Sequence, residues 1–170
     1  MKVAVQDANV LIDLELAGLF DPWFLLGIET HTTDLIKEEL RSGGHVLALG
    51  YFASGQVQEH GLTFEDLERV SDLEREVGSK AKFNDCSVLH LAMKLNAVLI
   101  SGEKPLRNAG FARNVEVHGT LWIMDLLVEG GLITGEVACV KLEHLLSLER
   151  YLPKAECHVR LKKWGKGARI

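Results

Sequence analysis

Apolar residues recur along this chain with two periods, and the two alternate. Val3, Val5 and the small residues beside them form a short apolar run that ends at Asp7, the pattern of a buried strand. Val10, Leu11, Ile12, Leu14, Leu16 and Leu19 then follow at the spacing of one helix face. Pro22 suits the first turn of a second, short helix. Residues 28–33 are rich in β-branched side chains and predict a second strand. Thr32 or Thr33 is placed to cap a helix over 34–40, which Ser42-Gly43-Gly44 stops. A further helical pattern covers 44–55, and 56–60 is a less regular strand. Thr63 opens a charged helix to about Val77, and 78–83 reads as a loop. Asn84 is the expected cap of a strongly apolar helix over 85–96. Residues 97–100 are the clearest buried strand, and 101–107 turn from it into another helix. A short strand over 115–118 and helices over 121–129, 136–148 and 154–164 complete the pattern.

Strand and helix therefore alternate over most of the chain. That order predicts an α/β fold with a central parallel sheet and helices on both faces. No repeat, linker or composition shift divides it. The expected organisation is a single domain over 1–170, with 134–170 a C-terminal helical extension.

Composition narrows the picture only a little. A hydrophobic content of 47% and a charged content of 25% are ordinary for a globular protein. No apolar run approaches the ~20 residues of a membrane span, and the start of the chain lacks a secretory pattern. Three cysteines, far apart and with no C-x-x-C pair, argue against a disulfide framework or zinc site. A reduced, cytoplasmic protein is the expectation. The formal charge is -5, yet residues 154–170 hold six Lys and Arg against Glu156 alone. Such a tail suits a phosphate backbone or an acidic partner, or simply solvation.

Four acids share a local context. Asp7 ends the first strand, where open α/β sheets hold their ligands. Glu39 lies at the edge of the helix after the second strand, Asp85 opens the most apolar helix, and Glu103 follows the clearest strand. Parallel strands point such positions to one sheet edge, where four carboxylates repel. A hard divalent cation such as Mg2+ or Mn2+ relieves that repulsion and suits phosphodiester hydrolysis. Acids at helix starts also cap amides and complement the helix dipole, which is the plainer account of Asp85. Glu39 also fits a solvated surface acid.

The stretch Val3-Ala4-Val5-Gln6-Asp7-Ala8-Asn9-Val10-Leu11-Ile12 resembles the opening motif of PIN domains. Lys37-Glu38-Glu39-Leu40, Phe83-Asn84-Asp85-Cys86 and Val98-Leu99-Ile100-Ser101-Gly102-Glu103 resemble the second, third and fourth, in order and with matching spacing over roughly the first 120 residues. The resemblance implies a three-layer α/β/α fold. It also implies a metal-dependent ribonuclease, often the toxin of a VapC-type toxin–antitoxin pair. On it, Asp7, Glu39, Asp85 and Glu103 form the catalytic acidic set, and Asp7, Asp85 and Glu103 are the metal ligands. Asn9 and Ser101 assist by hydrogen bonding on the substrate side. The fourth acid is usually Asp, and here it is Glu103.

Lys104 and Arg107 are candidates for flanking phosphates, or else a solvated helix start. An antitoxin partner or a homodimer is expected, because Leu11, Leu16, Leu19, Phe20, Trp23 and Phe24 are generous for one helical hairpin. The seven histidines show no metal spacing, and His90 reads as a satisfied core or interface residue. Two other readings compete. One is an aspartyl-phosphate domain built on Asp7, which Asn9 fits poorly in place of a second acid. The other is a catalytically weak domain of this fold that binds protein or RNA.

Overall fold

The structure, a computed structural model, describes residues 2–78 and 80–166. Arg169 and the Lys166 side chain, both counted in the basic tail, lie outside the described side chains. The elements follow the alternation of the sequence: β1 (Val3–Gln6), α1 (Ala8–Ala17), α2 (Phe20–Phe24), β2 (Glu29–Thr33), α3 (Asp34–Ser42), α4 (Val46–Ala53) and β3 (Val57–His60) come first. They are followed by α5 (Phe64–Val77), α6 (Phe83–Leu95), β4 (Val98–Ile100), α7 (Lys104–Phe111), β5 (Val117–His118), α8 (Thr120–Glu129), α9 (Gly135–Ser147) and α10 (Lys154–Lys166). Among the described residues the strands form one parallel sheet in the order β3-β2-β1-β4-β5. Helices cover it in an α/β/α arrangement. α6 packs on β1, β2 and β4 with α5 outside it, and α1 packs against α3, α4, α8 and α9.

The central strands are short and apolar because both faces are covered. Ala4, Val5, Leu99 and Ile100 are fully buried. Pairing of Val5 with Leu99 and of Gln6 with Ile100 sets the register that brings the ends of β1 and β4 side by side. Helix α1 stops at Gly18, whose left-handed φ of 62° is the conformation glycine adopts without strain.

Two expectations change here. Helix α6 begins at Phe83, with Lys82 and not Asn84 in the cap position. The Asp85 carboxylate reaches back to accept from the Lys82 amide at 3.2 Å, which satisfies a donor the helix start would leave bare. The Asn84 amide is thereby free to bond Glu39 at 3.2 Å. The second change concerns the apolar residues expected to face a partner. Leu11, Leu19 and Trp23 are completely buried and Phe20 is nearly so, while Leu16 and Phe24 pack against the same core. Trp23 also donates its indole N–H to Thr30 at 2.7 Å. These residues complete the core, because α1 and α2 are sandwiched among other helices and the sheet. Exposed apolar positions near α2 and α4 are instead Leu25, Val46 and Leu47.

On the far side, Asp66 ties α5 to α6. Its carboxylate accepts from His90 Nε2 at 2.8 Å and Lys94 Nζ at 3.1 Å, and it closes a capping box with Thr63. His90, Thr63 and Lys94 together hold the Asp66 carboxyl well below the usual range. His90 is thus satisfied, as its place in an apolar helix predicts.

Helix α10 docks on α9, where Gly135 lies against the chain at Trp164. A Cβ at Gly135 would stand 2.6 Å from the Trp164 carbonyl oxygen and 3.2 Å from its Cα. Backbone atoms cannot swing away as a flexible side chain does. Gly135→Ala is therefore expected to lose about 1–3 kcal/mol and to expose Trp164, now 3% exposed. A lowered urea midpoint with a red-shifted tryptophan emission is the expected result; unchanged emission would count against this docking.

Candidate active site

Strand order reverses between β1 and β4, since β2 and β3 lie to one side of β1 and β4 and β5 to the other. Chain segments leaving the two central strands diverge there and open a crevice at the carboxyl edge of the sheet. Asp7 leaves β1 at this point, and Ser101-Gly102-Glu103 leaves β4. The Asp7 amide donates to the Ile100 carbonyl at 3.1 Å, which fixes the two strand ends to one another.

Asp7 is 1% exposed and Ser101 wholly buried. One Asp7 oxygen accepts from the Val10 amide at 2.9 Å and so caps α1. The other accepts from the Ser101 hydroxyl, which in turn accepts from the Glu103 amide at 3.1 Å. Burial pushes the Asp7 carboxyl up to about 7, against the lowering effect of the Ser101 and Val10 bonds; the charges of Asp85 and Glu103 push the same way as burial. Among the described residues the donors to Asp7 are thus neutral, and no Lys or Arg side chain pairs with it. Capping and a place in the acidic cluster coexist in this one side chain.

Asp85 behaves similarly. Burial raises its carboxyl, the Lys82 amide opposes that, and the charges of Glu103 and Glu39 raise it further. Glu39, at the edge of α3, accepts from Asn84 as described. Glu103 accepts from the Asn9 side-chain amide at 2.6 Å. The four acids named from the sequence therefore share one electrostatic neighbourhood, with Asn9 and Ser101 bonded directly to two of them. Arg107 turns back to donate to the Ser101 carbonyl at 3.2 Å. Lys104 is exposed in the first turn of α7.

Sequence reasoning missed three residues behind Glu103. Asp13 is 5% exposed and accepts from Arg150 Nε at 2.6 Å and from the Thr120 hydroxyl at 2.7 Å. Arg150 also donates to the Asn9 carbonyl at 3.2 Å and to its side-chain oxygen at 3.3 Å. Arg150 thus orients the amide that holds Glu103. Burial raises the Asp13 carboxyl, and the bonds from Thr120 and Arg150 lower it. One signal was present in the sequence. Asn9 and Asp13 are four residues apart on one helix, so their side chains share a face. Nothing in the sequence marks Arg150 among its 19 Lys and Arg.

The donor set around Asp7 is entirely oxygen, carries like charges and is partly dry, which fits a hard divalent cation. Among the described residues no three His, Cys, Asp or Glu side chains stand close enough to enclose an ion as they are placed. Side-chain amides of Asn9 and Asn84 occupy one oxygen each of Glu103 and Glu39. Among the described residues no helix is long and apolar enough to cross a membrane.

Comparison with known proteins adds two findings. The chain is similar to Endoribonuclease Nob1 of Methanocaldococcus jannaschii, at 30% identity over 121 residues, 70% of this chain and 57% of that protein. The chain therefore spans little more than half the length of that relative. A family model described as a PIN domain matches residues 3–166. That match runs through every strand that delivers an acid and on into α10, so the chain, its C-terminal helices included, belongs to the PIN-domain family.

Proposed function

We propose that this protein is a metal-dependent endoribonuclease. The observation that carries the reading is that the buried carboxylate of Asp7, at the crevice between β1 and β4, feels the charges of Asp85 and Glu103 in a chain of this family. Similarity to a protein named as an endoribonuclease supports RNA as the substrate. Asp7, Asp85 and Glu103 would hold Mg2+ or Mn2+, with Glu39 at the rim. The cation, when bound, supplies positive charge to the scissile phosphate and lowers the pKa of a water. Ser101 fixes the Asp7 carboxylate, and Asn9 fixes that of Glu103. Lys104 and Arg107 supply positive charge beside Glu103 for flanking phosphates.

A second reading, a domain of this fold that binds RNA or protein with little catalysis, is favoured by one observation: among the described residues no three of the acids are close enough to form a ready cage, and amides occupy an oxygen of Glu103 and of Glu39. One experiment separates the two. Single-stranded and structured RNAs are incubated with the protein in Mn2+ or in chelator, and Mn2+ binding is followed by calorimetry. Cleavage confined to Mn2+ is the expected result, with a melting temperature raised by millimolar Mn2+. Absence of Mn2+ binding by the folded protein would favour the second reading. A role as a toxin held by an antitoxin, or as a homodimer, belongs to the same proposal. Among the exposed apolar positions are Leu25, Val46 and Leu47, which are 73%, 73% and 67% exposed. Light scattering and recovery of a partner from the native host test it.

A further inference from the structure

A run of three titratable side chains ties the edge strand β3 to its neighbour β2, and none of them belongs to the acidic site. Among the described residues β3 pairs with β2 alone. The register sets His31 opposite Gln58 and Thr33 opposite His60, so Glu29, His31 and His60 project from one face of the sheet. His31 is 7% exposed, and both of its ring nitrogens are engaged. Nε2 meets Glu29 Oε2 at 3.1 Å, and Nδ1 meets His60 Nε2 at 2.8 Å.

Counting protons fixes the direction of these bonds. An ionised Glu29 only accepts, so His31 Nε2 carries the hydrogen. A neutral imidazole has one N–H, so His31 Nδ1 is an acceptor. The hydrogen between the two rings therefore sits on His60 Nε2. His60 Nδ1 is left as a bare acceptor, with no hydrogen bond among the described residues. One proton added there breaks nothing. A second has only His31 Nδ1 to go to. It would set two N–H donors against each other across 2.8 Å and two cations side by side.

The surroundings oppose protonation. Burial, His31 and Lys94 of α6 hold the His60 pKa below its usual value. Lys94 is bonded to Asp66 of α5, which also engages His90. From α3, Lys37 bonds Glu59, whose side chain leaves β3 on the opposite face. Neither α4 nor β1 carries a charged residue. The native state thus binds the His60 proton less firmly than an unfolded chain, where His titrates at about 6.5. This contribution to stability is full above about pH 6.5 and is lost as pH falls below it.

We propose that Glu29, His31 and His60 form a pH-sensitive latch on the edge strand, closed while the two imidazoles share at most one extra proton and open when both are charged. Opening unseats β3, whose Val57 is 2% exposed, and bares the edge of β2. Strand β2 ends at Thr33, which bonds Ser87 of α6 at 2.9 Å and caps α3. Those two helices carry Asp85 and Glu39, so the latch bears on the acidic site from behind. It operates whether or not the protein cleaves RNA.

The test is NMR of the 15N-labelled full chain in chelator. Long-range imidazole spectra at about pH 7.5 should show both His31 and His60 as the Nε2–H tautomer. Hydrogen-exchange protection factors of the β3 amides should drop by roughly 10-fold or more between about pH 7.5 and about pH 5, while β1 and β4 amides keep theirs. In His60→Gln that drop should vanish, because a side-chain amide donates to neutral His31 and accepts from charged His31. Glu29→Gln should move the drop to lower pH, since the carboxylate that favours a His31 imidazolium is gone.

An Nδ1–H tautomer at either ring, equal β3 protection at the two pH values, or an equal drop in His60→Gln overturns the latch. A drop shared equally by β1 and β4 also overturns it, since the whole chain is then unfolding. Should His60→Gln fail to fold, the wild-type tautomers and exchange profile still decide between these outcomes.

Discussion

Asp7→Asn is expected to lower RNA cleavage in Mn2+ by roughly 10³-fold or more, and to leave a folded protein that is more stable at neutral pH without metal. Asparagine keeps the cap on α1, because its one side-chain oxygen still accepts from the Val10 amide, while its NH2 replaces the oxygen that accepted from Ser101 and must donate to that hydroxyl instead. What it removes is a carboxylate that is 1% exposed and whose pKa burial has pushed to about 7. The sign follows from linkage. A folded-state pKa raised above the unfolded value of about 4 means that the native state holds the proton more firmly. The wild-type contribution from this group is therefore fully present below about pH 4 and is lost as pH rises through about 7. Asp7→Asn has no such slope. In chelator the two proteins should be close in stability at pH 4. By pH 8 the variant should lead by on the order of 3–4 kcal/mol, read as a urea midpoint at each pH. Mn2+ should stabilise the wild type and have little effect on the variant. Full cleavage by folded Asp7→Asn would end the assignment of this site as a metal-dependent nuclease. A variant merely destabilised at every pH would make Asp7 a cap and nothing more.

Arg150→Ala should cost about 3 kcal/mol or more of stability, because it strands the Asp13 carboxylate in a nearly dry site. Cleavage should fall as well, since the Asn9 amide that holds Glu103 loses the guanidinium that orients it. Arg150 lowers the Asp13 pKa, and burial raises it. Without Arg150 the Asp13 pKa climbs further. The deficit should then shrink as pH falls and Asp13 takes up a proton. Adding Asp13→Asn should recover much of the stability while leaving cleavage impaired, because the buried charge is gone but Asn9 is still unheld. Arg150→Lys keeps a charge but not the fork that bonds Asp13 and Asn9 together, so it should fall between. The measurement is a double-mutant cycle on urea midpoints with a cleavage rate for each variant. Additive losses in the cycle, or wild-type cleavage in Arg150→Ala, would leave Arg150 as a surface residue without influence on the site.

How much of this was legible beforehand differs from residue to residue. Asp7, Asp85 and Glu103 were legible because each stands next to a strand or helix end that local periodicity marks, and a parallel sheet sends such ends to one edge. Asn9 and Ser101 were legible through the same motifs. The plain account of Asp85 as a cap was legible too, and it holds together with the cluster. The cap at Asn84 was misplaced by two residues because the competing acceptor, Asp85, reaches backwards from inside the helix. The apolar surplus at Leu11, Leu19, Phe20 and Trp23 was legible as apolar but not as buried. Hydrophobicity says that a side chain leaves water, and only the packing of other elements says whether the chain itself or a partner receives it.

The sequence alone determined the alternation of β and α, the parallel sheet that this alternation requires, and the acids at its carboxyl edge. Those are local properties, written in periods of a few residues and in what immediately follows them. Only the tertiary structure decided the strand order that puts β1 beside β4, and with it the crevice. It alone joined Asp13 to Thr120 and Arg150, which lie 107 and 137 residues further along the chain. Contacts at such separations leave no period in the chain, because a buried charge is satisfied by whichever donor the fold brings to it and not by a neighbour in sequence.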